Sequence, residues 1–391
     1  MWTKELEELD KRKKLAYGLG GGKNIARQHE QGKMTVRERI DFLVDRDSFE
    51  ERGILSGFPT YDKKDKDKLL DIVPCPFIMG IARLDNRKIA VHGDDFTIKG
   101  ASVGRMYKAK RGYFIKMARS LRLPIIRLIE GAGGSIKEII QIGYTELPSG
   151  NLEGTQHEAE AMSEIPIVSL GFGAIAGLGA LFMVKSHFSV MVKEKSQVFV
   201  GGPPLVKSAT GEETTKEELG GYKIHARMSG VVDNEAEDEE DALIQAKRFL
   251  SYLPSNVWEM PQRKLTLKDD PGRREEELVK IIPKNSKKPY DMRKILRLVL
   301  DKHSIFEIGK YQGRSQITAL ARLNGYPIGV LANDPRFIAG SFNYDVAEKF
   351  QRFIDMCDTF HLPIINFSDQ PGFTIGKKSE EHGTIRKGVR A

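Results

Sequence analysis

The chain has 391 residues, enough for two domains with substantial cores. It is 40% hydrophobic and 30% charged, as is typical of a globular protein in water. Its net charge of +8 suits ordinary solubility or attraction of a polyanionic ligand. Basic and acidic residues alternate without a nucleic-acid motif, so we expect no nucleic-acid partner. Two distant cysteines, Cys75 and Cys357, exclude a disulfide framework and predict a cytoplasmic protein.

Two helices are predicted before the first strands. The first is a charged segment over residues 4–16, and the glycines between Gly18 and Gly22 end it. Thr35 and Glu38 then have the spacing of a capping box, in which each side chain satisfies a free amide at the start of a helix. A second helix therefore begins at this point.

Strands and helices then alternate. Extended segments at Phe77–Leu84 and Ile89–His92 precede Gly100-Ala101-Ser102, which opens a long helix with apolar residues at helical spacing. A Leu-Pro pair ends that helix, and a buried strand, Ile125–Ile129, runs into a glycine turn at residues 131–134. The pattern predicts an α/β fold.

Three later segments are interpreted from composition. The apolar stretch from Ile165 to Val184 is interrupted by glycines, which favours a strand, a turn and a buried helix over a membrane span. The acidic run at residues 233–241 is predicted to be a solvated loop and helix start. The segment from Pro254 to Pro289, rich in lysine and proline, is the best candidate for a linker.

The chain contains a long internal repeat. Residues 78–134 align without a gap on residues 317–373, and 17 of the 57 pairs are identical, against roughly 6% for unrelated sequences of average composition. We call the constant offset of this alignment, which takes residue 78 to residue 317, the repeat shift. A second block pairs residues 37–53 with 293–309 at a slightly larger offset. We infer two copies of one module, each with more than 100 residues, which is too long a period for a solenoid.

The repeat makes two further predictions. Ile364–Phe367 should be the second copy of the buried strand Ile125–Ile129. The last residue, Ala391, corresponds to position 152 of the first copy, so the counterpart of the glycine segment around residue 177 would fall near position 416. We therefore expect a C-terminally truncated chain whose second domain is incomplete.

Catalytic motifs with a ready nucleophile do not occur in the sequence. There is no G-x-S-x-G elbow, H-E-x-x-H pair, C-x-x-C pair or P-loop, and the eight histidines lack metal-ligand spacing, so no metal site is predicted. The informative feature is backbone: residues 169–180 form a glycine-rich turn between a strand and an apolar helix. Such amides can hold phosphate or an enolate oxygen, although close helix–strand packing also explains the glycines.

A second glycine turn, residues 131–135, also follows a strand and has residues 370–374 as its partner in the other copy. Equivalent turns in duplicated modules favour the walls of a cleft over plain chain reversal.

Motifs distributed over the whole chain point to one family. They are Leu19 to Ile40, Asp95-Phe96-Thr97 with Gly100-Ala101-Ser102, Phe199 to Pro204, Glu218 to Gly221 with His225 and Ser229-Gly230, Tyr252-Leu253-Pro254, and Asp369 to Phe373. Together they resemble the carboxyltransferase (β) subunits of biotin-dependent acyl-CoA carboxylases of the propionyl-CoA and methylcrotonyl-CoA type.

The resemblance implies an α/β fold of two tandem crotonase-like domains. Residues 1–253 would be the acyl-CoA domain, 254–289 a linker and 290–391 part of the biotin domain. It implies transfer of a carboxyl group from carboxybiotin, carried on a separate protein, to the α-carbon of an acyl-CoA. Implied partners are the biotin carboxylase and biotin carboxyl carrier subunit. A homo-oligomer is also implied, a hexamer in the family, with N-domains facing C-domains.

Site residues follow by the same resemblance. The N–H groups of Gly177 and Leu178 would form an oxyanion hole for the thioester oxygen. No protein base is required, because the biotin enolate can take the α-proton, so the protein mainly supplies hydrogen-bond donors. The acyl-CoA would contact Gly100, Ala101, Ser102, Gly133, Gly134 and Ala176, and biotin would contact Pro371, Gly372 and Phe373.

Two departures and several alternatives accompany this assignment. The family often has Asp-Ser-Gly-Gly-Ala-Arg where residues 130–135 are Glu-Gly-Ala-Gly-Gly-Ser, so an arginine is missing, and Leu178 replaces a frequent glycine. A truncated chain should be inactive in transfer even when the biotinylated carrier, its carboxylase and an acyl-CoA are all supplied. The alternatives are the carboxyltransferase of a biotin-dependent decarboxylase and a non-catalytic truncated assembly subunit. A hydratase fits less well because it needs paired glutamates and no duplication.

Overall fold

The computed structural model describes residues 2–66, 68–131, 133–135, 140–144, 152–264 and 269–391, without the side chains of Arg105 and residues 152–155. The chain divides into two compact units. The first comprises Met1–Tyr222 and Glu235–Lys247, and the second Lys223–Asn234 and Arg248–Ala391. The described part of the predicted linker, residues 254–289, belongs to the second unit.

Helices and strands are numbered in chain order over the described residues. The helices are α1 Thr3–Tyr17, α2 Gly22–Glu30, α3 Val36–Leu43, α4 Arg105–Ser120, α5 Leu152–Glu164, α6 Leu178–Val184, α7 Pro203–Thr210, α8 Lys216–Gly220, α9 Tyr222–His225, α10 Glu239–Leu250, α11 Met292–Val299, α12 Tyr344–Thr359, α13 Lys377–Glu381 and α14 Thr384–Arg390. The strands are β1 Glu50–Glu51, β2 Gly57–Tyr61, β3 Leu69–Pro74, β4 Phe77–Leu84, β5 Arg87–Asp94, β6 Ile125–Gly131, β7 Ile167–Ala176, β8 Phe188–Val192, β9 Gln197–Phe199, β10 Asn234–Ala236, β11 Phe306–Ile308, β12 Gln316–Leu323, β13 Tyr326–Asn333 and β14 Ile364–Phe367. The capping box at α3 is present in full, as predicted.

The first unit is built on a sheet that contains eight strands among the described residues. Neighbouring strands follow the order β1-β4-β5-β6-β7-β8-β10, and β9 also pairs with β7. The β4–β5 pair is antiparallel, whereas β5, β6, β7 and β8 run parallel. Parallel strands covered on both faces have continuous apolar sequences, and every residue of β6 and β8 is indeed buried.

Helix α4 covers one face of this sheet. Its buried side chains Tyr107, Phe114 and Ile115 pack in one cluster with Phe77 of β4 and Ile125 of β6. Each large side chain buried in this way contributes roughly 1.5–3 kcal/mol relative to an exposed position. The apolar spacing that predicted the helix is therefore the spacing that joins it to the sheet.

The second unit repeats the first in detail. The bounds of β12, β13 and α12 are those of β4, β5 and α4 moved by the repeat shift, without a deviation at either end. The strand register is repeated as well, because Ala90 pairs with Ile125 in the first unit and Gly329 pairs with Ile364 in the second. The duplication predicted from the sequence is confirmed.

The second aligned block, residues 37–53 and 293–309, is repeated in its side-chain contacts. Arg37 donates from Nη1 to Glu51 Oε2 at 2.8 Å, and Arg293 donates from Nε to Glu307 Oε2 at 2.9 Å. In each copy the arginine lies on the helix that precedes the first strands, and the glutamate on the first strand of the repeated sheet. Both copies therefore keep the same ion pair.

The prediction of two equally buried strands is wrong for the second copy. β14 pairs with β13 as expected, but Ile364 is 38% exposed. β6 lies between β5 and β7, whereas β14 is the edge strand of the order β11-β12-β13-β14 over the described residues. An edge strand has one uncovered side, so identical residues at 125 and 364 have different environments.

Two other interpretations need correction. The acidic run at 233–241 is not wholly solvated, because Glu235 and Glu239 are buried; Glu235 pairs with Lys193 at 3.2 Å. The stretch from 165 to 184 forms a strand, a turn and a helix as predicted, but Leu181 on that helix is 58% exposed. None of the helices in the described part of the chain has the length and apolar character required to cross a bilayer.

A partly buried lysine organises the loop between β11 and β12. Lys349 lies on α12, and its Nζ donates to the carbonyl oxygens of Gly309, Gln312, Gly313 and Gln316 at 3.0, 2.9, 3.2 and 2.7 Å. The repeat places Lys110 of α4 at the equivalent position, and it is buried. The Lys349 side chain therefore holds three carbonyl groups of this loop together with that of Gln316, the first residue of β12.

Replacing Lys349 by methionine keeps the apolar stem and removes the donor. We expect Lys349→Met to lower the free energy of unfolding by about 3 kcal/mol, because several buried carbonyl groups lose their hydrogen bonds together. Urea denaturation followed by circular dichroism measures the loss. Lys377→Met, at an exposed position of α13, is the control and should cause no measurable change. Equal stability of the two variants would contradict the role assigned to Lys349.

Candidate functional site

Three segments selected from the sequence lie side by side in the first unit. Gly131 at the end of β6 pairs with Ile175 near the end of β7. A methyl group placed on Gly131 would lie 3.4 Å from the carbonyl oxygen of Ala101, and one on Gly133 would lie 3.3 Å from that of Ala176. The glycine turn therefore lies between the Gly100-Ala101-Ser102 segment and the end of β7, and the absence of side chains permits this close approach.

Backbone hydrogen bonds fix the turn to the segment that precedes α4. The N–H of Val103 donates to the carbonyl oxygen of Gly133 at 2.8 Å, and the N–H of Ser135 donates to the carbonyl oxygen of Val103 at 3.1 Å. Val103 and Gly134 form an isolated parallel bridge. The structure thus brings together the six residues predicted to contact acyl-CoA; Ala132, inside the same turn, lies outside the described residues.

Gly177 occupies the sharp connection between β7 and α6. Its φ of +58° and ψ of −118° are angles that residues with side chains rarely adopt. Its N–H donates to the carbonyl oxygens of Phe199 and Val200 at 3.2 and 3.1 Å, because β9 pairs with the end of β7. One of the two predicted oxyanion donors is therefore engaged within the chain.

Leu178 is the better donor of the predicted pair. It is the first residue of α6, and the first N–H groups of a helix have no acceptor within the helix. The positive end of the helix dipole adds to the attraction of such amides for an anionic oxygen. An amide donor does not depend on the side chain, so leucine serves as well as glycine at this position.

Glu130, directly before the glycine turn, is the centre of a buried charge network that sequence reasoning missed. Its carboxylate accepts from Lys33 Nζ at 2.8 Å, Arg39 Nη1 at 2.8 Å and Gln28 Nε2 at 3.1 Å. Arg39 also donates from Nε and Nη2 to Glu239 at 2.8 and 2.9 Å. The network joins α2, α3 and α10 to the end of β6 and so holds the point where the turn begins.

A second network lies at the other end of α6. Arg127 of β6 donates to the carbonyl oxygens of Phe182 and Lys185 at 3.1 and 3.0 Å and to Glu158 Oε2 at 2.8 Å. Burial opposes ionisation of Glu158, but the charges of Arg127 and Arg111 hold its pKa below the ordinary value. The short helix that carries Leu178 is therefore anchored at its C-terminus by a buried arginine.

The second unit contains the equivalent of the 131–134 turn. The N–H of Phe342 donates to the carbonyl oxygen of Gly372 at 2.9 Å, and Phe342 forms a parallel bridge with Phe373. Both contacts repeat those of Val103 at the repeat shift. Pro371, Gly372 and Phe373 are therefore contiguous on one turn, and the Phe373 side chain is 48% exposed.

In the described part of the chain, no group of three or more histidine, cysteine, aspartate or glutamate side chains is placed to hold a metal ion. The candidate site there consists of backbone amides, glycine turns and the buried networks that position them.

Comparison with known proteins gives the family. The model of the carboxyl transferase domain matches residues 27–390. The chain belongs to this family. The carboxyltransferase subunit of propionyl-CoA carboxylase from Haloferax mediterranei is 36% identical to this chain over 388 residues, which are 98% of this chain and 73% of that protein. The alpha subunit of methylmalonyl-CoA decarboxylase from Veillonella parvula is 35% identical over 375 residues, 95% of this chain and 71% of that protein.

A solved structure supports the same conclusion. The transcarboxylase 12S hexamer, determined with methylmalonyl-coenzyme A and methylmalonic acid bound, has a TM-score of 0.90 and 29% sequence identity, covering 100% of this chain and 74% of that one. The resemblance drawn from the sequence and the predicted α/β fold of tandem crotonase-like domains are confirmed.

The buried network around Glu130 makes a stability prediction. Arg39→Met should lower the free energy of unfolding by about 3–5 kcal/mol, because Glu130 and Glu239 would stay buried with fewer compensating donors. Chemical denaturation at neutral pH measures the change. Arg46→Met is the control, since the Arg46–Asp47 pair is almost fully exposed and should contribute nothing measurable. A small effect of Arg39→Met would show that the network does not stabilise the fold.

Proposed function

We propose that the protein is the carboxyltransferase subunit of a biotin-dependent acyl-CoA carboxylase. It transfers the carboxyl group of carboxybiotin, carried on a separate protein, to the α-carbon of an acyl-CoA. The observation that carries this proposal is the pair of equivalent glycine turns, 131–134 and 371–373, held by identical backbone contacts in a duplicated member of the carboxyl transferase family.

On the acyl-CoA side, the chain supplies an electrostatic site. Loss of the α-proton places negative charge on the thioester oxygen, and preorganised amides stabilise such charge by several kcal/mol. We assign this task to the N–H of Leu178, with that of Gly177 contributing only when it exchanges its bond to Phe199 or Val200. Gly100, Ala101, Ser102, Gly133, Gly134 and Ala176 form the adjoining walls, where a methyl group on Gly133 would lie 3.3 Å from the carbonyl oxygen of Ala176.

On the biotin side, we assign Pro371, Gly372 and Phe373. A methyl group on Gly372 would meet no atom of the described chain within 4 Å, so this turn leaves room for a ligand beside the half-exposed ring of Phe373. Carboxybiotin supplies an activated carboxyl group when it is bound. We assign residues 1–253 to the acyl-CoA domain, 254–289 to a linker and 290–391 to part of the biotin domain; of these, residues 223–234 and 248–289 belong to the second compact unit.

The proposal includes partners and location. Carboxybiotin has to come from a biotin carboxylase and a biotin carboxyl carrier subunit, and the transcarboxylase hexamer supports a homo-oligomer. Both cysteines are free and buried, which favours the cytoplasm over an oxidising compartment. A second candidate function is that of a decarboxylase subunit, which the relative from Veillonella parvula supports. The same donors serve both directions of transfer.

Ligand binding and biotin-dependent transfer test the function. Titration calorimetry should detect binding of propionyl-CoA, and more weakly of free CoA, because the thioester oxygen adds a hydrogen bond. With methylmalonyl-CoA and biotin, the complete enzyme assembled with its carrier should form propionyl-CoA only when biotin is present. No CoA-ester binding by folded protein would overturn the assignment. Release of propionyl-CoA without biotin would indicate a different decarboxylation chemistry.

Gly133 and Gly143 provide a matched pair of glycines for the acyl-CoA side. Both have left-handed backbone, with φ of +84° and +82°, so an alanine is similarly strained at either position. At Gly133 the new methyl group lies 3.3 Å from the backbone oxygen of Ala176, whereas at Gly143 it meets no atom of the described residues within 4 Å. Gly133→Ala should therefore weaken propionyl-CoA binding about tenfold, roughly 1.4 kcal/mol, while Gly143→Ala leaves it unchanged. Equal affinities of the two variants in calorimetry would remove Gly133 from the site.

A further inference from the structure

The last residues of β5 and β13 hold the peptide that precedes each glycine turn. In the second unit, Asn333 Oδ1 accepts from the N–H of Asp369 at 2.6 Å, and Asn333 Nδ2 donates to the carbonyl oxygen of Asp369 at 2.6 Å. In the first unit, Asp94 Oδ2 accepts from the N–H of Glu130 at 3.3 Å. The repeat shift relates Asp94 to Asn333 and Glu130 to Asp369, so the contact with the peptide N–H is shared by both units, while the carbonyl contact is seen at Asn333.

The two side chains differ in the hydrogen bonds they can make. An amide has both a donor and an acceptor, whereas an ionised carboxylate only accepts. Asn333 therefore hydrogen-bonds to both the N–H and the carbonyl oxygen of Asp369, whereas ionised Asp94 bonds only to the N–H of Glu130. The remaining oxygen of Asp94, Oδ1, accepts from the hydroxyl of Tyr107 at 2.6 Å. Both Asp94 and Asn333 are almost completely buried, so neither side chain is in contact with bulk water.

Charged and titratable groups face Asp94 from each neighbouring element. Helix α4 contributes Tyr107 and Arg111, β6 contributes Glu130, and Cys75 lies before β4. On β5 itself, burial lowers the pKa of His92 well below its ordinary value, so this ring is neutral. Burial raises the pKa of Asp94 to about 7, and the bonds from Tyr107 and the Glu130 amide only partly oppose this rise. Near neutral pH, both forms of Asp94 are therefore populated.

We propose that Asp94 is a positioning residue for the glycine turn at 131–134. Its protonated form hydrogen-bonds to both the N–H and the carbonyl oxygen of Glu130, as Asn333 does with those of Asp369. The proton supplies the donor that the carboxylate lacks, and it removes a negative charge next to Glu130. The turn is then held at the end of β6 in the orientation that places Gly133 against Ala176. This inference rests on the proposed function only in naming acyl-CoA as the ligand of that turn.

The pH dependence has a definite sign. The carboxyl of Asp94 keeps its proton in the folded state up to about pH 7, whereas the ordinary value in an unfolded chain is 3.8. Because the folded state binds the extra proton, its stability falls as pH rises from about 4 to about 7. The order of the turn, and with it the affinity for acyl-CoA, should fall as pH rises through about 7. Asparagine at position 94 would be insensitive to this change.

Hydrogen exchange and ligand affinity together test the proposal. Asp94→Asn introduces the side chain of the second copy, and Asp94→Leu removes both hydrogen-bonding functions. Exchange of peptides covering residues 126–135, corrected for the intrinsic pH effect, is measured at pH 6 and pH 8, with propionyl-CoA titrations at the same two values. In the natural protein, protection and affinity should drop about tenfold from pH 6 to pH 8. Asp94→Asn should show the protection and affinity of the natural protein at pH 6 at both pH values. Asp94→Leu should show low protection and low affinity at both pH values.

Each outcome separates the two proposals. If Asp94→Asn shows the same pH dependence as the natural protein, or if folded Asp94→Leu is as well protected as Asp94→Asn, the positioning role is wrong even when propionyl-CoA binds. If the exchange pattern appears as expected but no variant binds propionyl-CoA, the positioning role holds and the proposed function fails. Thermal unfolding confirms that each variant is folded before these comparisons are made.

Discussion

The parallel arrangement of β5, β6 and β7 is the constraint on which the candidate site depends. The carboxyl ends of parallel strands lie at one edge of a sheet, so the segments that follow Asp94, Gly131 and Ala176 are forced to be neighbours. They can approach closely because glycines occupy the contact points. Each segment brings backbone groups rather than reactive side chains, and this matches a chemistry in which charge on an oxygen is stabilised by amides.

Buried charges then fix this edge in place. Glu130 is held by Lys33, Arg39 and Gln28, and Arg127 holds the far end of α6. Removing several charges from water is expensive, and good hydrogen-bond geometry only compensates for that expense. Intact networks of this kind therefore add little net stability, although removing one partner, as in Arg39→Met, is costly; their stronger contribution is to orientation. Their placement immediately before the turn and after the short helix is consistent with a role in positioning donors.

Much of the fold could be predicted from the sequence because the relevant signals are local or repeated. The capping box at Thr35 and the helical spacing in α4 are local, and the repeat shift carries each assignment from the first copy to the second. Burial did not transfer between copies, since Ile125 is central and Ile364 lies on an edge strand. Identical residues thus gave identical pairing but different exposure.

The contacts that sequence reasoning missed all join distant segments. No spacing rule connects Arg39 with Glu130 or Glu239, so the acidic run around Glu239 was interpreted as solvated although one of its members is buried with an arginine. The engagement of the Gly177 amide was missed for the same reason, because it depends on β9 adding to the end of β7.

This last contact changes the chemistry expected at the turn. A donor already bonded to two carbonyl groups is held rigidly, but it must give up one of these bonds to serve an anionic oxygen. The adjacent amide of Leu178 starts a helix and has no such competitor within it. The bond from Gly177 to Phe199 and Val200 would then serve mainly to fix the direction in which Leu178 points. Glycine is required at 177 for its backbone angles, and in the proposed function it is the amide of residue 178 that supplies the hydrogen bond.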